Sequence, residues 1–172
     1  MICKSEIEGL KVIDHHTELC VIGGGLAGMC AAISAARRGT KVVLMHERPV
    51  LGGNASSEIR MWIGGAAGDN IRETGLMEEI VLENIYRNPD MNYSIWDSVL
   101  WEKVMLEENI TPLLNCSCLD ATMDGSRIMS ILGWQTTTQQ YHRVKAAIFA
   151  DCSGDSILAP LTGAMYRSSV DR

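Results

Sequence analysis

Residues 21–48, VIGGGLAGMCAAISAARRGTKVVLMHER, constrain the fold of this chain more than any other stretch. An apolar run at residues 18–22 leads into Gly23-x-Gly25-x-x-Gly28. A helix rich in small residues follows (Ala27, Ala31, Ala32, Ala35, Ala36), then Gly39 at the position of a helix C-cap, then a second apolar run, residues 41–46, that leads to Glu47. Each glycine answers a separate demand. Gly23 lets the chain turn sharply after a strand. Gly25 leaves the backbone bare, so that a pyrophosphate can approach it. Gly28 lets the helix pack close to a sheet. Phosphates then rest on a helix N-terminus, where the amides of the first turn, Leu26 and Ala27 among them, lack intrahelical acceptors. Glu47 lies 19 residues past Gly28, where a carboxylate can accept from ribose hydroxyls and would repel a 2′-phosphate. Strand, glycine turn, helix, strand and acid together describe one βαβ unit shaped to hold a dinucleotide.

The chain has 172 residues, 47% of them hydrophobic, which fits one soluble domain burying about 70% of its unfolded surface. No apolar stretch reaches the roughly 18 residues of a membrane span. Residues 1–16 lack the apolar core of a signal peptide, so a cytoplasmic location is expected. The net charge of −6 speaks against a nucleic-acid surface, and phosphate binding must come from local backbone donors. The six cysteines (3, 20, 30, 116, 118 and 152) form no CxxC and are expected to be reduced. Cys116-x-Cys118 has no second pair to complete a metal site, so no metal is expected.

After Glu47 and Arg48, Pro49 introduces a loop with Gly52-Gly53-Asn54, a place for close backbone approach to a ligand. Ser56, Ser57, Arg60 and Trp62 follow as polar or aromatic candidates beside it, although a lone tryptophan is more often a core residue. Helices are expected over residues 74–85 and 95–108, the second started by a Ser94–Asp97 capping box and ended at Asn109. Residues 110–115 read as a third parallel strand. The period then changes: strands at 118–123 and 127–136 flank an Asp124-Gly125 hairpin turn, and a long strand runs over 141–151. Together these make a β-meander inserted in a βαβ fold. The last strand ends in Cys152-Ser153-Gly154-Asp155, ahead of a helical pattern at 156–164. Asp155 is either that helix's N-cap or an acceptor for cofactor hydroxyls, or both. His46 has no role that the pattern assigns.

In this order, Gly23, Gly25, Gly28, Glu47-Arg48, Gly52-Gly53-Asn54 and residues 151–155 resemble the glutathione-reductase-type FAD-binding fold. The nearer resemblance is to the FAD-dependent oxidoreductase family, relatives of fumarate reductase, L-aspartate oxidase and the flavoprotein subunit of heterodisulfide reductase. It implies an α/β, Rossmann-like FAD/NAD(P)-binding domain, a parallel sheet with an inserted β-meander. It also implies that Gly23 to Gly28 hold the pyrophosphate and Glu47 the adenosine ribose. Gly52 to Ser56 lie beside the ribityl chain and flavin, Cys118 and Leu119 touch adenine through backbone, and Gly154-Asp155 meet the ribityl–pyrophosphate region. Disulfide reductases carry a CxxxxC pair after the Gly-Gly loop; residues 54–64 have no cysteine, so thiol–disulfide chemistry is not expected. Residues 1–172 are expected to be the N-terminal FAD-binding part of a longer chain whose substrate domain lies beyond. The function implied is hydride or electron transfer between FAD and a small organic substrate, with an electron-transfer partner in prospect. An NAD-binding dehydrogenase is the alternative, disfavoured by the Gly-Gly-Asn and Gly-Asp motifs. A non-catalytic FAD-holding module or electron-transfer subunit is a third reading.

Overall fold

A computed structural model describes residues 9–66 and 68–167; Cys3 lies outside them. The strands are β1 (Val12–Ile22), β2 (Val42–Met45), β3 (Ile110–Leu113), β4 (Cys116–Asp124), β5 (Arg127–Gln135) and β6 (Gln140–Asp151). The helices are α1 (Leu26–Ala36), α2 (Gly75–Arg87), α3 (Tyr93–Met105) and α4 (Leu158–Thr162). The six strands form one sheet in the order β3-β2-β1-β6-β5-β4. The first four run parallel and the last two antiparallel, so the expected meander closes one side of a parallel sheet. Pro112, which has no amide to donate, sits in β3 at the sheet's edge, where such a residue is tolerated.

Period-two alternation sorts the central strands between two cores. Val21, Val42 and Leu44 face Met29 and Ile33 of α1 and Trp96 and Leu100 of α3. Cys20, Ile22, Val43 and Met45 face the other way, toward Cys116, Ile131, Val144 and Leu158. Gly133 of β5 makes that second contact close: a Cβ there would lie 2.6 Å from the Met45 methyl and 2.8 Å from Cys116 Sγ. The meander and α4 therefore cover the face opposite α1, α2 and α3.

Three expectations change. The first strand begins at Val12, not at residue 18. Its outer half, with Asp14, His15, His16 and Thr17, is polar, and only pairing with β6 from Val12↔Tyr141 to Thr17↔Ala146 makes it a strand. The capping box at Ser94 is not used either. Asn92 caps α3 and its side chain accepts from the Ser94 amide, because the Asx side chain reaches the amide two residues on before Ser94 can serve. Leu106, not Asn109, closes that helix; the Asn109 side chain donates from Nδ2 to the Ala36 carbonyl instead.

Candidate functional site

The register places Ile22 of β1 level with Met45 of β2 and Asp151 of β6, and Met45 level with Leu113 of β3. The loops leaving the parallel strands thus emerge side by side. β1 is also where the connections change direction, toward β2 on one flank and β6 on the other, the position at which open α/β sheets form a crevice. A cleft of about 680 Å³ lies there, within the range of small-molecule sites.

The first loop is shaped by exclusion. Gly23 has φ +103°, and a Cβ on it would lie 2.3 Å from the Cys152 carbonyl oxygen. A Cβ on Gly28 would lie 1.8 Å from the Gly23 carbonyl oxygen, so α1 starts pressed against the turn. Gly25 differs. Its backbone is ordinary (φ −66°, ψ 175°), and the nearest atom to an added Cβ is the Gly53 Cα at 4.0 Å. Nothing in the protein requires glycine there; the open space belongs to the cleft. No side chain caps α1 and no acid stands in its first turn, so the first-turn amides, those of Leu26 and Ala27 at the cleft among them, have no intrahelical acceptor.

The second loop docks on the first. The Gly52 amide donates to the Gly24 carbonyl at 2.8 Å, and Gly25 and Gly52 form an isolated parallel bridge. Side chains of α3 hold the loop from behind. Trp96 Nε1 donates to the Ala55 carbonyl at 2.7 Å in the interior, and Asp97 Oδ1 accepts from the Ser57 amide at 2.9 Å. Asp97 is thus tied to the loop rather than to its own helix start. Ser56 is fully buried and donates to the Gly53 carbonyl at 2.7 Å.

Glu47 stands two residues past β2 with its side chain 62% exposed and its Oε1 3.9 Å from Arg48 Nε, a loose pair that leaves the carboxylate facing solvent. Arg48 beside it reaches Glu58 at 3.2 Å. In the turn after β6, Asp151 accepts from the Ser153 amide and hydroxyl and from the Leu158 amide, while Ser153 Oγ accepts from the Ile157 amide. These two residues do the capping expected of Asp155, and α4 is shorter than the 156–164 pattern. Asp155 is left exposed on the cleft wall.

Of the residues expected at a ligand, Gly23, Gly25, Leu26, Ala27, Glu47, Arg48, Gly52, Gly53, Asn54, Cys118, Gly154 and Asp155 line the cleft. Gly28, Ser56 and Leu119 do not; Gly28 packs the helix, Ser56 braces the loop, and Leu119 is 40% exposed outside the cleft wall. The sequence reading missed Ser117 and His46, which do line it. Trp62 also borders it, stacked on Tyr93 with ring centroids 4.4 Å apart, rather than filling the core. Strand alternation from Cys116 points to Cys118 and away from Ser117, so it gave no signal for Ser117; His46 carried no signal except its place before Glu47. Cys116 and Cys118 are near the cleft, but burial pushes both thiols up to about 12, with Asp151 and Asp120 adding to the rise at Cys118. Neutral thiols are poor nucleophiles. Among the described residues no group of three His, Cys, Asp or Glu side chains is placed to hold a metal.

A family model described as FAD dependent oxidoreductase matches residues 18–171. The chain belongs to that family. The family's cofactor is FAD, and the cleft suits it: a bare cradle at Gly25, uncapped helix amides for phosphate and an open acid. Among curated proteins, this family member is 53% identical over 54 residues to the fumarate reductase (cytochrome) of Shewanella frigidimarina, 30% of this chain and 10% of that one. It is 41% identical over 59 residues to the sarcosine oxidase subunit alpha of Rhizobium meliloti, 34% of this chain and 6% of that one. The chain thus spans a tenth or less of the length of these two relatives. Among solved structures, E. coli quinol fumarate reductase FrdA superposes with a TM-score of 0.60 at 14% identity, covering 83% of this chain and 33% of that one, a likeness of fold. Among the described residues no helix is long and apolar enough to cross a membrane.

Proposed function

We propose that this chain is the FAD-binding unit, within a longer protein, of an oxidoreductase that moves hydride or electrons between flavin and a small organic substrate. The observation that carries the reading is Gly25, a residue that the protein's own packing leaves free and whose bareness serves only a ligand. The amides at the start of α1 would take the pyrophosphate, where the helix dipole offsets its charge. Glu47 would accept from the adenosine ribose and Asp155 from hydroxyls nearer the flavin. The backbone at Cys118 would border the adenine, and Gly52 to Asn54 would flank the ribityl chain. FAD supplies the redox chemistry; the chain supplies position and electrostatics. The Shewanella relative is named for a cytochrome and the Rhizobium relative for a subunit, which supports an electron-transfer partner. A cytoplasmic setting fits the five unpaired thiols among the described residues.

Purified protein is expected to be yellow and to release FAD on denaturation. Gly25→Ala tests the assignment cleanly, because the added methyl meets no protein atom closer than 4.0 Å. That variant should melt within about 0.5 kcal/mol of the wild type and lose FAD in calorimetry. Wild-type affinity in the variant would refute the phosphate assignment. A colourless wild type that binds NAD would favour the dehydrogenase.

A further inference from the structure

We propose that His46 is the positioning residue of the cofactor cradle: a neutral imidazole pinned between the two glycine loops, whose uncharged form FAD binding requires. The inference rests on the reading of the cleft as the FAD site.

His46 is 6% exposed and follows directly on β2. Its Nδ1 lies 3.0 Å from the Gly24 amide nitrogen, and its Nε2 lies 3.0 Å from the Val50 carbonyl oxygen. A carbonyl only accepts and an amide only donates. One tautomer satisfies both partners, with the proton on Nε2 and the lone pair of Nδ1 turned to Gly24. Gly24 is the centre of the first loop, and Val50 opens the second. The Gly24 carbonyl then receives the Gly52 amide at 2.8 Å. Ring, Gly24, Gly52 and Val50 therefore form a closed circuit that sets the gap between the loops at the place where Gly25 faces Gly53. The backbone of His46 is fixed as well, its amide donating to Leu113 and its carbonyl accepting from Cys116.

A second observation points the same way. Gly23-x-Gly25-x-x-Gly28 makes no demand on its second position, yet Gly24 is a glycine. A Cβ there would lie 2.7 Å from His46 Cγ and 2.8 Å from a Leu51 methyl. The imidazole, together with the Leu51 side chain beside it, explains the third consecutive glycine.

Protonation would break the circuit. An imidazolium donates from both nitrogens, so N–H would face N–H at Gly24 and leave a buried donor without an acceptor. Burial is the main influence on the ring and holds its pKa below the usual histidine value. The bond to Val50 and the charges of Glu47 and Glu58 act the other way, and Arg48 acts with burial. Since the folded value lies below the ordinary one near 6.5, the clamp is complete above that pH and is lost as pH falls through the folded value.

The test is FAD affinity from pH 8 to pH 5 in wild type, His46→Asn and His46→Phe, with ¹⁵N spectra of the wild-type imidazole. The Asn oxygen can accept from Gly24 and does not titrate. The wild type should bind about 10-fold or more weaker below the ring's pKa, and His46→Asn should lack that acid loss. His46→Phe should bind about 10- to 100-fold weaker at every pH, as expected for one orphaned buried donor. The spectra should show a proton on Nε2 at neutral pH. An Nδ1 proton, a charged ring at pH 7, or the wild-type acid loss persisting in His46→Asn would overturn the proposal. Should His46→Phe fail to fold, the Asn variant and the spectra still decide. A wild type that binds no FAD at pH 8 would sink the cofactor reading instead, and the ring's tautomer would still judge the clamp.

Discussion

The two loops that meet at Gly25 and Gly53 are built in opposite ways. The first, from Gly23 to Gly28, is shaped by what is missing: side chains at Gly23 and Gly28 would strike backbone at 2.3 and 1.8 Å. The second, from Gly52 to Ser57, is shaped by what is present, namely Trp96 and Asp97 from α3 and the internal bond of Ser56. The first loop writes its constraints into its own residues as glycines, even where the atom avoided, the Cys152 carbonyl oxygen, comes from the far end of the chain; the second borrows its shape from a helix some 40 positions along the chain. A loop made by exclusion tolerates no added atom at its contacts, whereas a loop made by hydrogen bonds should yield in graded steps.

Gly28→Ala presses hardest on this contrast. Its methyl meets a backbone oxygen that cannot swing aside, so α1 must back away from the turn. A loss of more than about 3 kcal/mol is expected, read by chemical denaturation, together with lost FAD binding. A variant as stable as the wild type would show that the first loop has slack and erase the distinction. Trp96→Phe is the matching test of the second loop. It keeps most of the buried ring and removes the donor to Ala55, which should cost about 1–3 kcal/mol. A cost as large as that of Gly28→Ala would mean that both loops are equally unforgiving. Arg48→Ala should be the mildest. The Arg48–Glu58 pair is roughly one-third exposed on each side, and such pairs contribute about 0–1 kcal/mol. A larger loss in thermal melts would assign the second loop an electrostatic support that the geometry does not show.

The same contrast explains which parts of the site were legible. Exclusion writes itself into sequence as glycine at fixed spacing, so Gly23, Gly25 and Gly28 could be read directly, and Glu47 with them. Borrowed support leaves no local mark. Asp97 resembled part of a capping box, yet it holds the Ser57 amide. Asp155 resembled a helix cap, yet Asp151 and Ser153 do that work and free it for the cleft. Ser56 stood at a plausible ligand position, and its buried hydroxyl braces the loop by donating to the Gly53 carbonyl. His46 looked like the end of an apolar strand.

What the sequence alone determined is the periodic and local part: a βαβ unit at residues 18–47, the hairpin at Asp124-Gly125, the long last strand and their order. Alternation and glycine spacing are properties of neighbouring residues, so they survive without coordinates. What only the tertiary structure decided is pairing between distant segments. The polar residues from Asp14 to Thr17 become a strand because β6 supplies their hydrogen-bond partners. His46 becomes a clamp because Gly24 and Val50 arrive on its two sides. A hydrogen bond needs both groups in place, and for these residues the second group comes from another loop or strand.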